Sequence, residues 1–314
     1  MPAPSAQIAA LAARQDAAVT TAQCIGLGAD PDWIARQVRS GRWQRLHRGV
    51  LATYSGPLTW RTRARAALLY CGRDAALSHD AAAHVHRFAD HPPRVIDVTI
   101  PQRRRVAASR GIRIHRHTAR AVEIRGRFAV VSRADTALDL LEQARTDDAA
   151  VSVLCAAVRG RTPPWLILEA LARRSNTGGR GLAVELLTLV AEGIESPLEL
   201  RYHRDVEQRH GLPRAALQRR QVISGLWIRA DRIYQGMGVR TELDGQLAHP
   251  DGRTDSDTWR DNAVAISRGE ITLRYRWSHV HGTPCRTAAQ VVAALRSRGW
   301  TGSPRPCGPG CPVR

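Results

Sequence analysis

Two runs of alternating character, Leu226 to Tyr234 and Val239 to Asp244, meet at Gln235-Gly236-Met237-Gly238. A turn that tight between two strand-like runs predicts an antiparallel hairpin. Symmetric closure then sets the register, with Asp231 opposite Glu242 and Arg229 opposite Asp244. Opposed residues have Cβ atoms ~4.5–5.5 Å apart on one face. Glu242 and Asp244 lie two apart on one strand, so they share that face. Three carboxylates therefore converge. Like charges opposed across a sheet destabilise it unless something sits between them. A hard divalent cation, Mg²⁺ or Mn²⁺, suits an oxygen-only donor set, whereas zinc would want His and Cys, which the hairpin lacks. The plain alternative for Arg229 and Asp244 is a cross-strand ion pair.

The elements around the hairpin are readable too. Ser196-Pro197-Leu198-Glu199 opens a helix to about His210, and Ser196-x-x-Glu199 is itself a capping box. A strand over Leu217–Ile223 precedes the hairpin. A polar helix over Asp255–Ser267, a strand over Ile271–Arg276 and a helix over Thr287–Arg298 follow it. The tail from Gly302 to Arg314 is rich in Gly and Pro, and it is expected to be disordered. Cys307 and Cys311, with Cys285, His279 and His281, fall within range of a metal knuckle. The tail has no hydrophobic anchor and the upstream residues form no clean pair, so no metal is assigned there.

Composition narrows the partners. The 314 residues suggest two domains or three small ones. All 47 basic side chains are arginine, lysine is absent, and the formal net charge is +19. Codon bias accounts for Arg in place of Lys but not for the surplus, which favours a polyanion such as nucleic acid. Without lysine there is no Walker-type phosphate loop, Schiff base or kinase lysine. No apolar run approaches the ~20 residues of a membrane-spanning helix, and the N-terminus does not read as a secretion signal. Six scattered cysteines make no disulfide framework. The reading is a soluble cytoplasmic protein with no membrane partner.

The N-terminal stretch predicts three short helices, Gln7–Gln15, Thr20–Ile25 and Trp33–Ser40, then an extended stretch over Trp43–Tyr54 broken at His47-Arg48-Gly49. That is the plan of a winged helix-turn-helix, whose third helix enters a major groove. Arg36, Arg39, Arg42, Arg45 and Arg48 recur every three residues over helix and wing, which suits phosphate contacts. A solvated basic face is the plainer account. The middle segment predicts helices, three strands and then more helices, with a loop at Ser175–Gly179. Its histidines show no ligand spacing, so they are read as structural. The expected layout is a winged helix over 1–60, a mixed middle segment over 61–193, an α/β sandwich over 194–301 and a tail over 302–314. The class is α/β, or α+β overall.

Asp231 followed by Glu242-Leu243-Asp244 resembles the restriction-endonuclease-like, PD-(D/E)xK, superfamily. The string Glu242-Leu243-Asp244-Gly245-Gln246-Leu247-Ala248-His249 resembles its very-short-patch-repair-like branch, as does Arg260-Asp261-Asn262 with Leu273-Arg274-Tyr275 and Trp277. The resemblance implies that Asp231 and Glu242 hold the metal, that Glu199 is an auxiliary acid and that His249 is a general acid/base candidate. Asp244 stands where that family carries lysine, and it joins the candidate catalytic set. Arg229 cannot shed a proton to take over as base.

Gly41 to Thr53 and Ser132-Arg133-Ala134-Asp135-Thr136-Ala137-Leu138-Asp139-Leu140 resemble the AbiEi-type antitoxin family of toxin–antitoxin systems. That resemblance implies DNA binding, classically for autoregulation. Three functions remain open: a metal-dependent endodeoxyribonuclease with its own DNA-binding module, a non-catalytic DNA-binding regulator or antitoxin with a degenerate nuclease domain, or a nuclease directed at RNA. The implied partners are DNA, a second copy of the chain, and a toxin or repair protein.

Overall fold

Asp30 and Pro31 start a helix that Gly41 stops, and Gly49 turns the chain between two short strands, which puts helices before a hairpin. In the computed structural model the order is α1 (Pro4–Arg14), β1 (Ala18–Thr20), α2 (Thr21–Gly26), α3 (Pro31–Arg39), β2 (Gln44–His47) and β3 (Val50–Ala52). The three strands form an antiparallel sheet in the order β1-β3-β2. Ile8, Val19, Ile34 and Leu51 bury the apolar faces of these elements in one small core. Gly49 has φ +73°, a left-handed conformation that a residue with a Cβ adopts at a cost. The structure describes residues 4–117, 120–174, 180–223, 226–244 and 269–314.

The chain divides into two units. The first joins Met1–Ala144 with Ala156–Ala183, and the second joins Arg145–Cys155 with Val184–Arg314. The expected boundary at residue 60 does not separate units, because Ala18 and Val50 of the N-terminal sheet share a buried cluster with Ala66. Ala66 belongs to α4 (Trp60–Cys71), which also packs on a second sheet through Ala64, Ala67 and Leu68.

That second sheet contains β4 (Ala76–Leu77), β5 (Ile96–Pro101), β6 (Ile112–His117), β7 (Val122–Arg125) and β8 (Phe128–Val131), ordered β6-β5-β4-β8-β7. It is mixed, with β5–β6 and β4–β8 parallel and the other pairs antiparallel. The two strands with no sequence signal, β4 and β7, are two and four residues long. Helices α5 (His79–His86), α6 (Arg133–Gln143), α7 (Asp147–Arg159), α8 (Pro164–Arg173) and α9 (Arg180–Ala191) complete the middle of the chain. The loop expected at Ser175–Gly179 lies outside the described residues.

In the second unit α10 (Pro197–Arg201) continues as a π-helical stretch, Tyr202–Gln208. Strands β9 (Ala216–Ile223), β10 (Leu226–Tyr234), β11 (Val239–Asp244) and β12 (Ile271–Arg276) form one sheet in the order β12-β11-β10-β9. β9, β10 and β11 pair antiparallel, and β11 pairs parallel with β12. A parallel pair needs a crossover of a dozen or more residues. The chain between Asp244 and Ile271 provides that length. The polar helix expected there, Asp255–Ser267, lies outside the described residues.

A second π-helical turn, Ser278–Gly282, leads into α11 (Pro284–Ser297). Tyr202, Tyr234, Val239, Val291 and Leu295 form the core of this unit. The tail expected to be disordered joins that core instead. Val313 is 1% exposed, and the Arg305 amide donates to the His210 carbonyl at 2.8 Å. Prolines at 304, 306, 309 and 312 stiffen the free chain, so ordering the tail costs less entropy than its composition suggests. The whole is a mixed α/β fold. Among the described residues no helix is long and apolar enough to cross a membrane.

Candidate functional site

The hairpin closes in the expected register. Tyr234 pairs with Val239, Ile233 with Arg240 and Arg232 with Thr241, which carries Asp231 and Glu242 to the next opposed positions. Period-2 alternation sends Arg232, Tyr234, Val239 and Thr241 to one face and Asp231, Ile233, Arg240 and Glu242 to the other. The first face is closed. Arg232, 0% exposed, donates to Glu207 Oε2 at 2.8 Å and to the Glu199 carbonyl at 2.9 Å, and lies over the Tyr202 ring at 5.0 Å. The Tyr234 hydroxyl donates to Glu207 Oε1 at 3.1 Å, and His203 Nδ1 lies 3.1 Å from Oε2. This network is a structural staple that no motif announced, though His203 and Glu207 stand four apart on one helix face.

The second face mixes signs. Asp231 Oδ2 accepts from the Leu243 amide at 2.8 Å. Glu242 pairs with Arg274 at 2.5 Å, its partner across the parallel β11–β12 ladder. Arg240 pairs with Glu270 at 2.5 Å. The sequence predicts a cation from outside for the hairpin acids. The fold supplies arginines as well, and the meeting of Arg274 with Glu242 has no sequence signal because parallel pairing across a long crossover leaves no local pattern.

Glu199 sits in the first turn of α10 and is 6% exposed. Its Oε1 accepts from the Ser196 hydroxyl at 3.1 Å, and its Oε2 accepts from the Glu195 amide at 3.1 Å and from Gln218 Nε2 at 3.2 Å. Ser196 caps this turn, its hydroxyl accepting from the Glu199 amide at 3.2 Å, while the Glu199 carboxylate takes the Glu195 amide in place of the Ser196 amide that a capping box uses. Burial raises the carboxyl's pKa, and the negative charge of nearby Asp231 adds to the rise, against the Glu195 amide, Arg232 and Gln218. Asp244 ends β11, but its side chain and that of Arg229 lie outside the described residues, as does all of His249.

The basic candidates stand in the first unit. Asp30 Oδ1 caps α3, accepting from the Asp32 and Trp33 amides at 2.7 and 3.1 Å. Ile34 faces the core, and Trp33 meets Trp43 edge-on at 5.4 Å. Arg36, Arg39, Arg42, Arg45 and Arg48 are all exposed, and none has an ion-pair partner among the described residues. A second basic surface has no counterpart in the sequence pattern. Arg61, Arg87, Arg125, Arg133, Arg159 and Arg161 line an open cavity of about 950 Å³ beside Trp60 and Phe128. Burial and the neighbouring Arg125 lower the pKa of Arg133.

The same unit gathers histidines that spacing did not connect. His79 stacks on His115 with ring centroids 3.7 Å apart, and His115 Nε2 lies 2.8 Å from buried Asp97. Burial, together with His115, drives the His79 pKa down to about 4. His79, His117 and Asp139 bring ligand atoms within 4.8 Å of one another, yet Asp139 is already met by Arg174 at 2.8 Å and Arg120 at 3.1 Å. Arg174 also binds Asp135 at 3.0 Å. Asp135 and Asp139 therefore staple α6 to the residue after α8.

No protein-family model and no curated protein matches the chain. A search of solved structures finds the crystal structure of the RV2827C protein from Mycobacterium tuberculosis. It is 14% identical, with a TM-score of 0.43 over 64% of this chain and 80% of that one. At that score the likeness carries no argument about fold or function.

Proposed function

We propose that the chain is a cytoplasmic DNA-binding protein whose second unit is a restriction-endonuclease-like core that hydrolyses phosphodiester bonds with Mg²⁺ or Mn²⁺. The observation that carries this reading is the sheet β9-β10-β11-β12, with Asp231 and Glu242 on its adjacent central strands and β12 parallel to β11. Asp231 and Glu242, on one face of the hairpin, offer the oxygen donors that a hard cation takes. Such a cation supplies Lewis-acid charge to a scissile phosphate. Arg274 orients Glu242, and Arg240, held by Glu270, adds positive charge to the same face. Glu199 fixes the start of α10 and adds negative charge near Asp231. In the first unit, a winged helix-turn-helix formed by α1 to β3 would grip the phosphate backbone through Arg36, Arg39, Arg42, Arg45 and Arg48.

One observation favours a second reading. Arg274 already answers Glu242, and Asp244 stands where nucleases of that superfamily keep lysine. On that account the nuclease-like unit is a scaffold, and the chain is a DNA-binding regulator or antitoxin, acting alone, as a homodimer or with a toxin or repair partner.

A plasmid-nicking assay separates the two. Under the nuclease reading, Mg²⁺ or Mn²⁺ supports nicking that EDTA stops, that excess Mg²⁺ restores, and that Asp231→Ala/Glu242→Ala abolishes while DNA binding persists. Nicking that survives the double substitution sinks the site assignment. Salt-sensitive DNA binding without nicking by either protein selects the regulator.

A further inference from the structure

His210, Cys285, Cys307 and Cys311 come from separate stretches of the second unit, and their ligating atoms all lie within 4.8 Å of one another. His210 is 0% exposed, and its Nδ1 lies 3.1 Å from the Val206 carbonyl. A carbonyl only accepts, so Nδ1 carries the proton and Nε2 presents a lone pair. That Nε2 is buried and has no hydrogen-bond partner. A buried acceptor left without a partner is costly. Here it faces three thiols.

The thiols are arranged as ligands, not as a bridge. Cys285 and Cys307 are free, with sulfurs 3.3 Å apart. A disulfide requires about 2.05 Å. Two thiolates on one tetrahedral zinc, at Zn–S distances of about 2.3 Å, stand about 3.8 Å apart. Cys285 lies in the first turn of α11. Cys307 and Cys311 flank Gly308-Pro309-Gly310, with Gly310 at φ +77° and the Cys311 amide donating to the Gly308 carbonyl at 3.2 Å. On either side of this knuckle, the Arg305 amide bonded to the His210 carbonyl and buried Val313 hold the tail in place.

We propose that His210, Cys285, Cys307 and Cys311 form a closed Cys₃His site for a structural Zn²⁺ that ties the C-terminal tail to α11 and to the end of the π-helical stretch. Soft thiolates with one imidazole select zinc over Mg²⁺ or Mn²⁺, and four protein ligands leave no open position for catalysis. The proton on Nδ1 donated to Val206 is the outer-shell bond that fixes a zinc-ligating histidine. His279, near Cys285 in sequence, is turned elsewhere, its Nδ1 accepting from the Arg276 amide at 3.0 Å. The site is independent of the acidic hairpin and of the nuclease reading.

The test is metal analysis of the full chain purified without chelator. One zinc per chain is expected, falling to background in Cys307→Ser/Cys311→Ser and unchanged in His281→Ala. Replacement by Co²⁺ in the unmutated chain gives the visible and near-ultraviolet bands of a tetrahedral thiolate site. Three cysteines become reactive to a thiol reagent only after chelation, and chelation lowers the melting temperature by on the order of 5 °C or more. Sub-stoichiometric zinc with no Co²⁺ spectrum overturns the proposal, as does zinc retained by the double Ser variant or a Cys285–Cys307 disulfide that persists in reducing buffer. The Co²⁺ and thiol measurements use the unmutated chain, so a variant that fails to fold does not decide the matter.

Discussion

The arginines of α3 and the β2–β3 hairpin differ from the charges on the β10–β11 hairpin in what answers them. Five arginines in the first unit are exposed with no ion-pair partner among the described residues, so their field is directed at solvent or a ligand. In the second unit the charges are answered inside the protein: Glu242 by Arg274, Glu270 by Arg240 and Glu207 by Arg232. Exposed unanswered charge is cheap to keep and available for binding. Buried charge must be matched, because desolvation costs more than an unpaired ion recovers. The 47 arginines therefore do two jobs. Some are exposed surface charge, and others balance acids inside the protein.

The contrast can be broken at several points. The largest effect expected is on chemistry, with nicking reduced by at least about 100-fold in Asp231→Ala/Glu242→Ala. Arg274→Ala sharpens this result. If Arg274 serves only to neutralise Glu242, nicking survives its removal and saturates at lower Mg²⁺, because a competing positive charge has left the site, and a metal titration of the variant reads that shift. Next comes stability. Glu207→Ala leaves Arg232 buried without its anion and should cost about 3–5 kcal/mol, measured by denaturant unfolding against Glu207→Gln.

Removing Arg39, Arg42 and Arg45 together should leave the fold unchanged. It should reduce the slope of log Kobs against log salt by about 2.7, at roughly 0.9 for each phosphate no longer neutralised. An unchanged slope would return these arginines to the status of a solvated face. The smallest effect is a pH dependence in the first unit. The His79 pKa is lowered to about 4 by burial and by His115, so the folded state binds fewer protons than the unfolded state from about pH 4 up to the ordinary value of 6.5. Stability conferred by neutral His79 is complete above pH 6.5 and disappears as pH falls towards 4, by at most about 3 kcal/mol. His79→Gln flattens that part of the stability profile, read as melting temperature against pH.

How far the sequence reached follows from the range of the forces involved. Strands β9 to β12 and helices α3 and α10 were legible from alternation, caps and proline at the first turn, all of which act within a few residues. β4 and β7 were not, because strands of two and four residues carry no period. Asp231 and Glu242 were legible because a four-residue turn fixes the partners on either side of it. Three of the four residues proposed to hold zinc were legible as a group. Cys285, Cys307 and Cys311 could be counted, but His210 could not be joined to them.

The sequence by itself determined the hairpin register, the order of helix and strand, and the excess of positive charge, since each depends on neighbours along the chain. Tertiary structure alone decided that Arg274 meets Glu242, that Arg174 clamps Asp135 and Asp139, and that the proline-rich tail folds back to set Cys307 and Cys311 beside His210. Those pairings join residues far apart in sequence. Only the packing of the core brings them within bonding distance, and no local propensity encodes which partner it will choose.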